Sequence, residues 1–399
     1  MVDTLMLSSV NDQAVGAVGT ANTYIGIFII MFSVISSGMV AVMTQNIGAG
    51  RPGVAYQARQ LGLVFNAALG VIMSLFLSLG AGTILSGVGV ADALMQPAKT
   101  YLQIVGGFCI LNALIPICSS YLRAFGFSKE PLYASIIGNV INFCLNAFFL
   151  FVLHKGVAGV ATATVISRII NLVIVVLLGA VLVKAKQHPE RESNRAVMGQ
   201  IIRIGLPSAC ETAIYNVSMT LVIRFLNQMD AQGLNVTARS YTMQITNFSY
   251  CVGAALAQAN AIMTGWHIGA KEYDACDRGT KKAAVIGVIV AVILETVFTL
   301  CSGWIMQLFS KDPQMVSLVG KLLAIDIVLE IGRVTNLVYG QALKTSGDAV
   351  FPVVMGACFM ILCSVGGTYL FGIRLGLLAV GAYIGMTGDE CVRAVGVYS

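Results

Sequence analysis

Long apolar runs recur along the whole chain, and short polar or basic stretches separate them. Many runs hold 18 or more residues, the length that an α-helix needs to cross roughly 30 Å of hydrocarbon. The alternation of apolar and polar residues that marks an outer-membrane β-strand is absent from the sequence. The pattern predicts an all-α polytopic membrane protein with about twelve transmembrane helices, the first one incomplete. The predicted spans are 1–7, 15–45, 60–86, 97–119, 131–153, 157–183, 203–227, 236–265, 281–309, 315–343, 350–372 and 376–399.

The composition agrees with a membrane solvent. Hydrophobic residues make up 57% of the 399 positions and charged residues 11%, whereas soluble domains carry about 25% charged residues. The mean hydropathy is +0.85. The net charge of +6 is not clustered with aromatic residues on a soluble face, as nucleic-acid binding would require. We therefore expect the lipid bilayer, and no nucleic acid, among the partners.

The basic residues predict the orientation in the membrane. Lys and Arg concentrate in alternate connections, whereas the opposite connections hold Lys155, Lys311 and Arg374. By the positive-inside rule the richer set is cytoplasmic, which places the chain in a cell (inner or plasma) membrane. The richer set is Arg51, Arg59, Arg123, Lys129, Lys184, Lys186, Arg191, Arg195, Arg203, Lys271, Arg278, Lys281, Lys282 and Lys344.

The two halves of the chain resemble each other. Residues 47–50 read IGAG and residues 268–271 read IGAK, 221 positions later; the same offset relates Gly126 to Gly347 and Pro131 to Pro352. Landmarks at one offset indicate a duplication. Each copy has six spans, an even number, so we expect parallel repeats related by an axis along the membrane normal.

The duplication also sets the predicted domain boundaries. The first lobe is 1–185, the polar stretch 186–200 is a cytoplasmic linker, and the second lobe is 201–399. The helix that opens at 203 has a counterpart, at the same offset, that would start before Met1. We therefore expect the chain to begin inside the first helix of its first repeat, which is truncated.

Charged residues inside the predicted spans concentrate in the second half. Such charges cost about 2.5–3.5 kcal/mol each at the centre of the membrane. Helical spacing puts Glu330, Arg333 and Asn336 on one face, and it does the same for Glu390 and Arg393, next to Asp389. Two interpretations stay open: ion pairs within each helix that allow the helices to pack, or a polar cluster that lines a water-filled cavity.

Glu211 is a separate candidate. It follows Pro207 by four residues and has no basic neighbour within one helical turn, so it suits reversible protonation during transport. The alternative is a carboxylic acid that is hydrogen-bonded to neighbouring backbone.

The first half offers carboxamides instead. Asn139, Asn142 and Asn146 recur at spacings of three and four, and Thr162 follows in the next span. With Asp3 they supply one negative charge and several neutral oxygens, which suits a dehydrated Na⁺ or a proton. The alternative is hydrogen bonding between helices, worth below about 2 kcal/mol per bond.

The chain lacks the sequence signatures of an enzyme. The 10 Cys show no paired metal-binding spacing, which favours a packing role. No Walker, Rossmann, HExxH or GxSxG motif occurs. The energy for transport must then come from an ion gradient or from a partner subunit. We expect no cofactor other than a coupling ion, Na⁺ or H⁺, and a secondary active transporter rather than an enzyme.

Several segments resemble the multidrug and toxic compound extrusion (MATE) family, and in order they cover essentially the whole chain. The segments are VDTLMLSSVNDQAVGAVG, TQNIGAGRPGVAYQA, LRAFGFSKEP, INFCLNAFF, GVAGVATATVISR, GLPSACE, HIGAKEYDAC, EIGRVTNLVYGQALKTSGDAVFP and GDECVRA. The resemblance implies two six-helix bundles around a central cleft, alternating access, and the export of small organic cations in exchange for Na⁺ or H⁺.

The resemblance also implies roles for individual residues. Asp3 matches the acid in helix 1 of the family, Asn142 and Asn146 match the polar pair of helix 5, and Thr162 matches the threonine region of helix 6. Proton-coupled relatives carry Asp where this chain has Asn146, which favours Na⁺. Arg333 stands where one branch has Asp, so the cation site of that branch in the second lobe is not expected here.

The function that follows is a cation-coupled antiporter, expected to be a monomer, that exports organic cations or drugs. The predicted cation site, a possible Na⁺ site, is Asp3, Asn142, Asn146 and Thr162; the predicted substrate and coupling network is Glu211, Glu330, Arg333, Asn336, Asp389, Glu390 and Arg393. Two alternatives stay open. One is a lipid-linked saccharide flippase of the same superfamily, and the other is an uncoupled channel or structural membrane subunit.

Overall fold

The structure is a computed structural model that describes residues 6–7, 12–87, 92–183, 190–229, 233–307, 310 and 312–398. Every regular element that these residues form is helical, which confirms the predicted fold class. The chain divides into two compact units, a first unit at Met1–Gly205 and a second unit at Leu206–Ser399.

The first unit consists of long helices and one broken helix. Its helices are α1 (Asp12–Gly48), α2 (Pro52–Gly87), α3 (Asp92–Tyr101), α4 (Ile110–Ala124), α5 (Lys129–Ala147), α6 (Gly156–Leu182) and the start of α7 (Asn194–Met229). A π-helical turn, Leu102–Gly106, extends α3, and another, Phe148–Val152, extends α5. The axes of the extended α3 and of α4 differ by 42°, so the predicted span 97–119 is bent.

The second unit continues from α7. Its further helices are α8 (Leu234–Gly269), α9 (Tyr273–Leu300), the short α10 (Ser302–Gln307), α11 (Pro313–Ser346), α12 (Val350–Phe359) and α13 (Leu378–Tyr398). Two π-helical segments, Met360–Val365 and Thr368–Arg374, extend α12. Helix α11 packs against α8, α9 and α13, so its residues face three neighbouring helices.

Each predicted span from 15–45 to 376–399 contains a helix, whereas the predicted span 1–7 lies largely outside the described residues. By length and hydropathy alone, six of the described helices could cross a membrane, and a seventh if the bent α3–α4 pair is one span. Helices α7, α8, α11 and α13 are long enough but too polar for that criterion. Helix α7 begins at Asn194, inside the predicted linker 186–200.

Large apolar side chains cover the outside of the helices. Leu79, Leu300 and Trp304 expose more than three quarters of their side chains, at 83%, 80% and 84%. A soluble protein rarely exposes large apolar patches, but lipid is as apolar as these side chains. The surface is therefore suited to a bilayer.

Glycine lets two helices of the first unit cross closely. A methyl group on Gly38 of α1 would lie 1.9 Å from the carbonyl oxygen of Ile201, at the start of α7, and one on Gly205 would lie 1.7 Å from that of Val34. Small residues permit this kind of backbone approach between membrane helices. The crossing holds the start of α7 against α1.

Candidate functional site

A cavity of about 450 Å³ lies within the second unit, between α7, α8, α11, α12 and α13. Charged and polar side chains from four of these helices line it. They are Glu211, Arg239, Asp326, Arg333, Asn336, Gln341, Lys344, Glu390 and Arg393. The predicted substrate and coupling network therefore lies at one cavity, since Glu330 and Asp389 directly contact two of the lining arginines.

Glu211 of α7 forms an ion pair with Lys344 of α11. Both side chains are largely buried, with 20% and 11% of their surface exposed. The prediction that Lys344 is a loop residue is wrong: it lies in the last turn of α11, and its side chain points into the cavity. Glu211 thus has a basic partner, but the partner comes from a different helix, which sequence spacing does not reveal.

Arg333 connects two acids. It donates a hydrogen bond to Glu330, three residues earlier on α11, and its Nε lies 4.0 Å from Oε1 of Glu390 on α13. Asn336 completes the connection, because its Nδ2 donates to Oε2 of Glu390 at 2.6 Å and to the Glu390 carbonyl oxygen at 2.8 Å. The face of α11 that the spacing predicted is the face that contacts α13.

Arg393 forms the corresponding cluster on α13. Its Nε donates to Oδ1 of Asp389 at 2.8 Å, and its Nη2 lies 2.9 Å from Oε2 of Glu390. Ser364, in the π-helical extension of α12, donates to Oδ2 of Asp389 at 2.8 Å. The two interpretations of these charges therefore do not exclude each other, because the ion pairs lie within helices and also border a cavity.

Gly332 explains how α11 and α13 approach closely enough for these contacts. A methyl group at this position would lie 2.7 Å from the carbonyl carbon of Glu390 and 2.9 Å from the nitrogen of Cys391. The backbones of the two helices therefore touch beside the cluster. This contact sets the distance from Asn336 to Glu390.

The network predicted from the sequence leaves out several residues of the site, although Glu295 and Asp326 are recognisable in the sequence as charges inside predicted spans. Arg239 of α8 and Asp326 of α11 line the cavity. Arg239 is a single charge inside an apolar span, and Asp326 lies one helical turn before Glu330; an embedded charge is itself a signal of a functional site. Glu295 of α9 is fully buried, and its carboxylate lies within 4.8 Å of those of Asp326 and Glu330. Among the described residues, these three acids form a cluster whose carboxylates are close enough together to hold a metal ion.

The structure describes three of the four residues of the predicted cation site in the first unit. Asn146 is fully buried, and its Nδ2 donates to Oδ1 of Asn142 at 3.2 Å. Thr162 lies on α6, which packs against α5, and its hydroxyl donates to the carbonyl oxygen of Ala158. Asp3 lies outside the described residues. The structure thus brings Asn142 and Asn146 together and leaves the acid of the proposed site undescribed.

Comparison with known proteins identifies the family. A family model described as MatE matches residues 1–148 and 207–370. The "Uncharacterized transporter YisQ" of Bacillus subtilis (strain 168) is 33% identical over 402 residues, which cover 99% of this chain and 88% of that protein. The "Probable multidrug resistance protein NorM" of Thermotoga maritima is 22% identical, over 99% of this chain and 86% of that protein.

The fold comparison agrees. The solved structure described as "Crystal structure of MATE in the bent conformation" has a TM-score of 0.87 and 18% sequence identity, with 100% of this chain and 88% of that one covered. The sequence match over most of the chain and the shared helical fold lead to one conclusion. The chain belongs to the MATE family, and it is a multi-pass membrane transporter.

Proposed function

We propose that this transporter is an antiporter that exports small organic cations by alternating access and is driven by Na⁺ or H⁺. The observation that supports it is the charge of the cavity in the second unit. The cavity lining itself holds three acids and four bases. Three further acids, Glu295, Glu330 and Asp389, lie directly behind the lining, and with them the carboxylates outnumber the basic groups. The acids are Glu211, Glu295, Asp326, Glu330, Asp389 and Glu390, and the bases are Arg239, Arg333, Lys344 and Arg393. An excess of carboxylate attracts a cation.

The other cavity walls suit ligands of varied shape. Met219, Met243 and Met386 line the cavity together with Tyr215 and Tyr250. Methionine side chains are flexible and adapt to different apolar surfaces, and aromatic rings attract cations through their faces. A promiscuous binding site uses side chains of this kind.

The coupling ion is assigned to the first unit. Asp3, Asn142, Asn146 and Thr162 supply one carboxylate and several neutral oxygens for Na⁺ or a proton. An ion that enters the cell releases about 2.3 kcal/mol per 100 mV of membrane potential. That energy supports accumulation of an exported compound outside the cell.

The topology proposed with this function follows the positive-inside rule. The basic connections, including 184–200, lie in the cytoplasm of a cell with the protein in its inner or plasma membrane. We take the functional unit to be a monomer, since each chain carries both the proposed cation site and the cavity.

A lipid-linked saccharide flippase is the second candidate, and Arg239 is the observation that favours it. Arg239 lines the cavity, and its Nε has no hydrogen-bond partner among the described residues. A buried guanidinium without a carboxylate partner would suit a phosphate group. The remaining basic groups of the cavity are bonded to carboxylates, which favours the cation exporter.

The test is dye transport in inverted membrane vesicles with imposed ion gradients. Full-length protein should accumulate a cationic dye when a Na⁺ gradient or a pH gradient is applied. Glu211→Gln should lower dye transport at least tenfold, whereas Glu272→Gln, an exposed acid before α9, should leave it unchanged. If neither gradient alters transport of any cationic dye, the antiporter proposal fails. Transport of a lipid-linked saccharide in place of dye would support the flippase.

A further inference from the structure

Three carboxylates of the second unit meet in the protein interior, behind the cavity. Glu295 comes from α9, and Asp326 and Glu330 come from α11. One oxygen of each lies within 4.8 Å of an oxygen of the other two, and all three side chains are buried, with 0%, 2% and 0% of their surface exposed. Like charges this close repel one another strongly in a low-dielectric interior. Something must compensate them.

Arg333 compensates only part of this charge. It donates to Oε1 of Glu330 and also approaches Glu390 of α13. One guanidinium against three carboxylates leaves an excess of two negative charges when all three are ionised. Burial of unpaired charge is costly, so a further cation or protons must be present.

Glu295 and its two neighbours offer several carboxylate oxygens to a cation. Neither of its two carboxylate oxygens has a hydrogen-bond partner among the described residues, and the same holds for Oδ2 of Asp326 and Oε2 of Glu330. The hydroxyl of Ser249 on α8 lies beside Glu295, and Ser249 is fully buried. One oxygen of each of the three carboxylates lies within 4.8 Å of the other two.

We propose that Glu295, Asp326 and Glu330 bind one dehydrated metal cation, Na⁺ or Ca²⁺, with the Ser249 hydroxyl as a further oxygen ligand. Three oxygens no more than 4.8 Å apart surround a point that lies about 2.8 Å or less from each, close to the 2.3–2.6 Å of Ca²⁺–oxygen bonds. Mg²⁺ fits poorly because it keeps several of its waters. The site is distinct from the proposed cation site of the first unit and does not depend on export.

The ion would also fix the position of Arg333. Because Glu330 is shared between the proposed cation and the Arg333 guanidinium, occupancy of the site changes how strongly Glu330 holds Arg333. Arg333 lines the cavity next to Glu390. Ion binding is therefore linked to the charge that the cavity presents.

The test is direct ion binding to the purified full-length protein in detergent. Equilibrium binding of ²²Na⁺ and of ⁴⁵Ca²⁺ is measured in separate arms for the wild type, for Glu295→Gln and for Glu272→Gln as the matched control. Glu295→Gln should weaken the binding of one of the two ions at least tenfold, and Glu272→Gln should not change it. The same ion should raise the melting temperature of the wild type but not that of Glu295→Gln.

Three outcomes would overturn the site: neither ion binds the wild type, Glu295→Gln binds like the wild type, or Glu272→Gln loses binding equally. If Glu295→Gln does not elute as a folded protein, Asp326→Asn takes its place with the same expected loss. Asp3→Asn separates the two sites. If only Asp3→Asn loses ion binding, this site is refuted and the antiporter proposal stands. If Glu295→Gln loses ion binding but no ion-coupled dye transport is observed, this site stands and the antiporter proposal is refuted.

Discussion

Asn336 of α11 holds Glu390 of α13 by two hydrogen bonds, one to the side-chain Oε2 at 2.6 Å and one to the backbone carbonyl oxygen at 2.8 Å. A single carboxamide thus fixes both the backbone and the carboxylate of the acid that two arginines share. The carboxylate of Glu390 is oriented toward Arg333 and Arg393. The position of this acid depends on Asn336.

Asn336→Ala should lower the stability of the protein and the affinity for cationic dye together. A hydrogen bond to a charged group within a membrane bundle contributes about 1–2 kcal/mol, and its loss should lower the melting temperature measurably. Asn216→Ala is the control, since Asn216 is an exposed residue of α7. An Asn336→Ala protein with unchanged melting temperature would show that the two bonds contribute nothing.

Gly332→Ala should separate α11 from α13. The added methyl group would lie 2.7 Å from the carbonyl carbon of Glu390, so the backbones must move apart and the bond from Asn336 to Glu390 must lengthen. We expect a loss of stability of about 1–3 kcal/mol from overpacking, measured as a lower melting temperature.

Gly340→Ala on the same helix is the matched control for Gly332→Ala. A methyl group on Gly340 meets nothing within 4 Å, and alanine is about 1 kcal/mol more favourable than glycine in a helix. This variant should be as stable as the wild type or more so. Equal melting temperatures for the two variants would contradict the close contact at Gly332.

Glu211 and Lys344 should show strong coupling in a double-mutant cycle. Glu211→Gln leaves a largely buried ammonium without its partner, and Lys344→Met leaves a carboxylate; each should cost about 3 kcal/mol. The double variant should be more stable than either single one, because no charge is then left uncompensated. Melting temperatures of the four proteins give the coupling, and additive losses would argue against the ion pair.

Asn146→Ala should weaken the Na⁺ dependence of dye export if the first unit binds the coupling ion. The variant removes a buried carboxamide oxygen, so we expect the Na⁺ concentration for half-maximal export to rise about tenfold, as for loss of one metal-site partner. Asn139→Ala on the same helix is the control, since Asn139 is exposed. An identical Na⁺ dependence in both variants would remove Asn146 from the cation site.

Helical periodicity explains how much of the site the sequence predicts. Glu330 with Arg333 and Glu390 with Arg393 are three residues apart, so the spacing alone puts each pair on one face. The pair of Glu211 and Lys344 is separated by 133 positions, and no local rule relates them. Lys344 resembles a loop charge because it lies close to the end of α11.

Hydropathy identifies some of the membrane helices and misses others. Helices such as α6, with only Arg168 as a charge, satisfy both the length and the hydropathy criteria. Helices α11 and α13 fail because they carry the charges that build the cavity. The family motifs and the repeat identify α11 and α13 as spans. The proximity of Glu295 and Asp326 depends on the packing of α9 against α11, and no sequence spacing predicts it.

The ion pairs within α11 and α13 bear on how the protein is made. Each segment is threaded into the bilayer before all of its neighbours are present, and an uncompensated charge at that stage costs about 2.5–3.5 kcal/mol. Glu330 with Arg333, and Asp389 with Arg393, carry their own counter-charges, so each segment is inserted with part of its charge already compensated. Glu211 finds Lys344 only when α7 and α11 meet. This ion pair therefore forms only after both helices are inserted, and its presence shows that α7 and α11 have packed together.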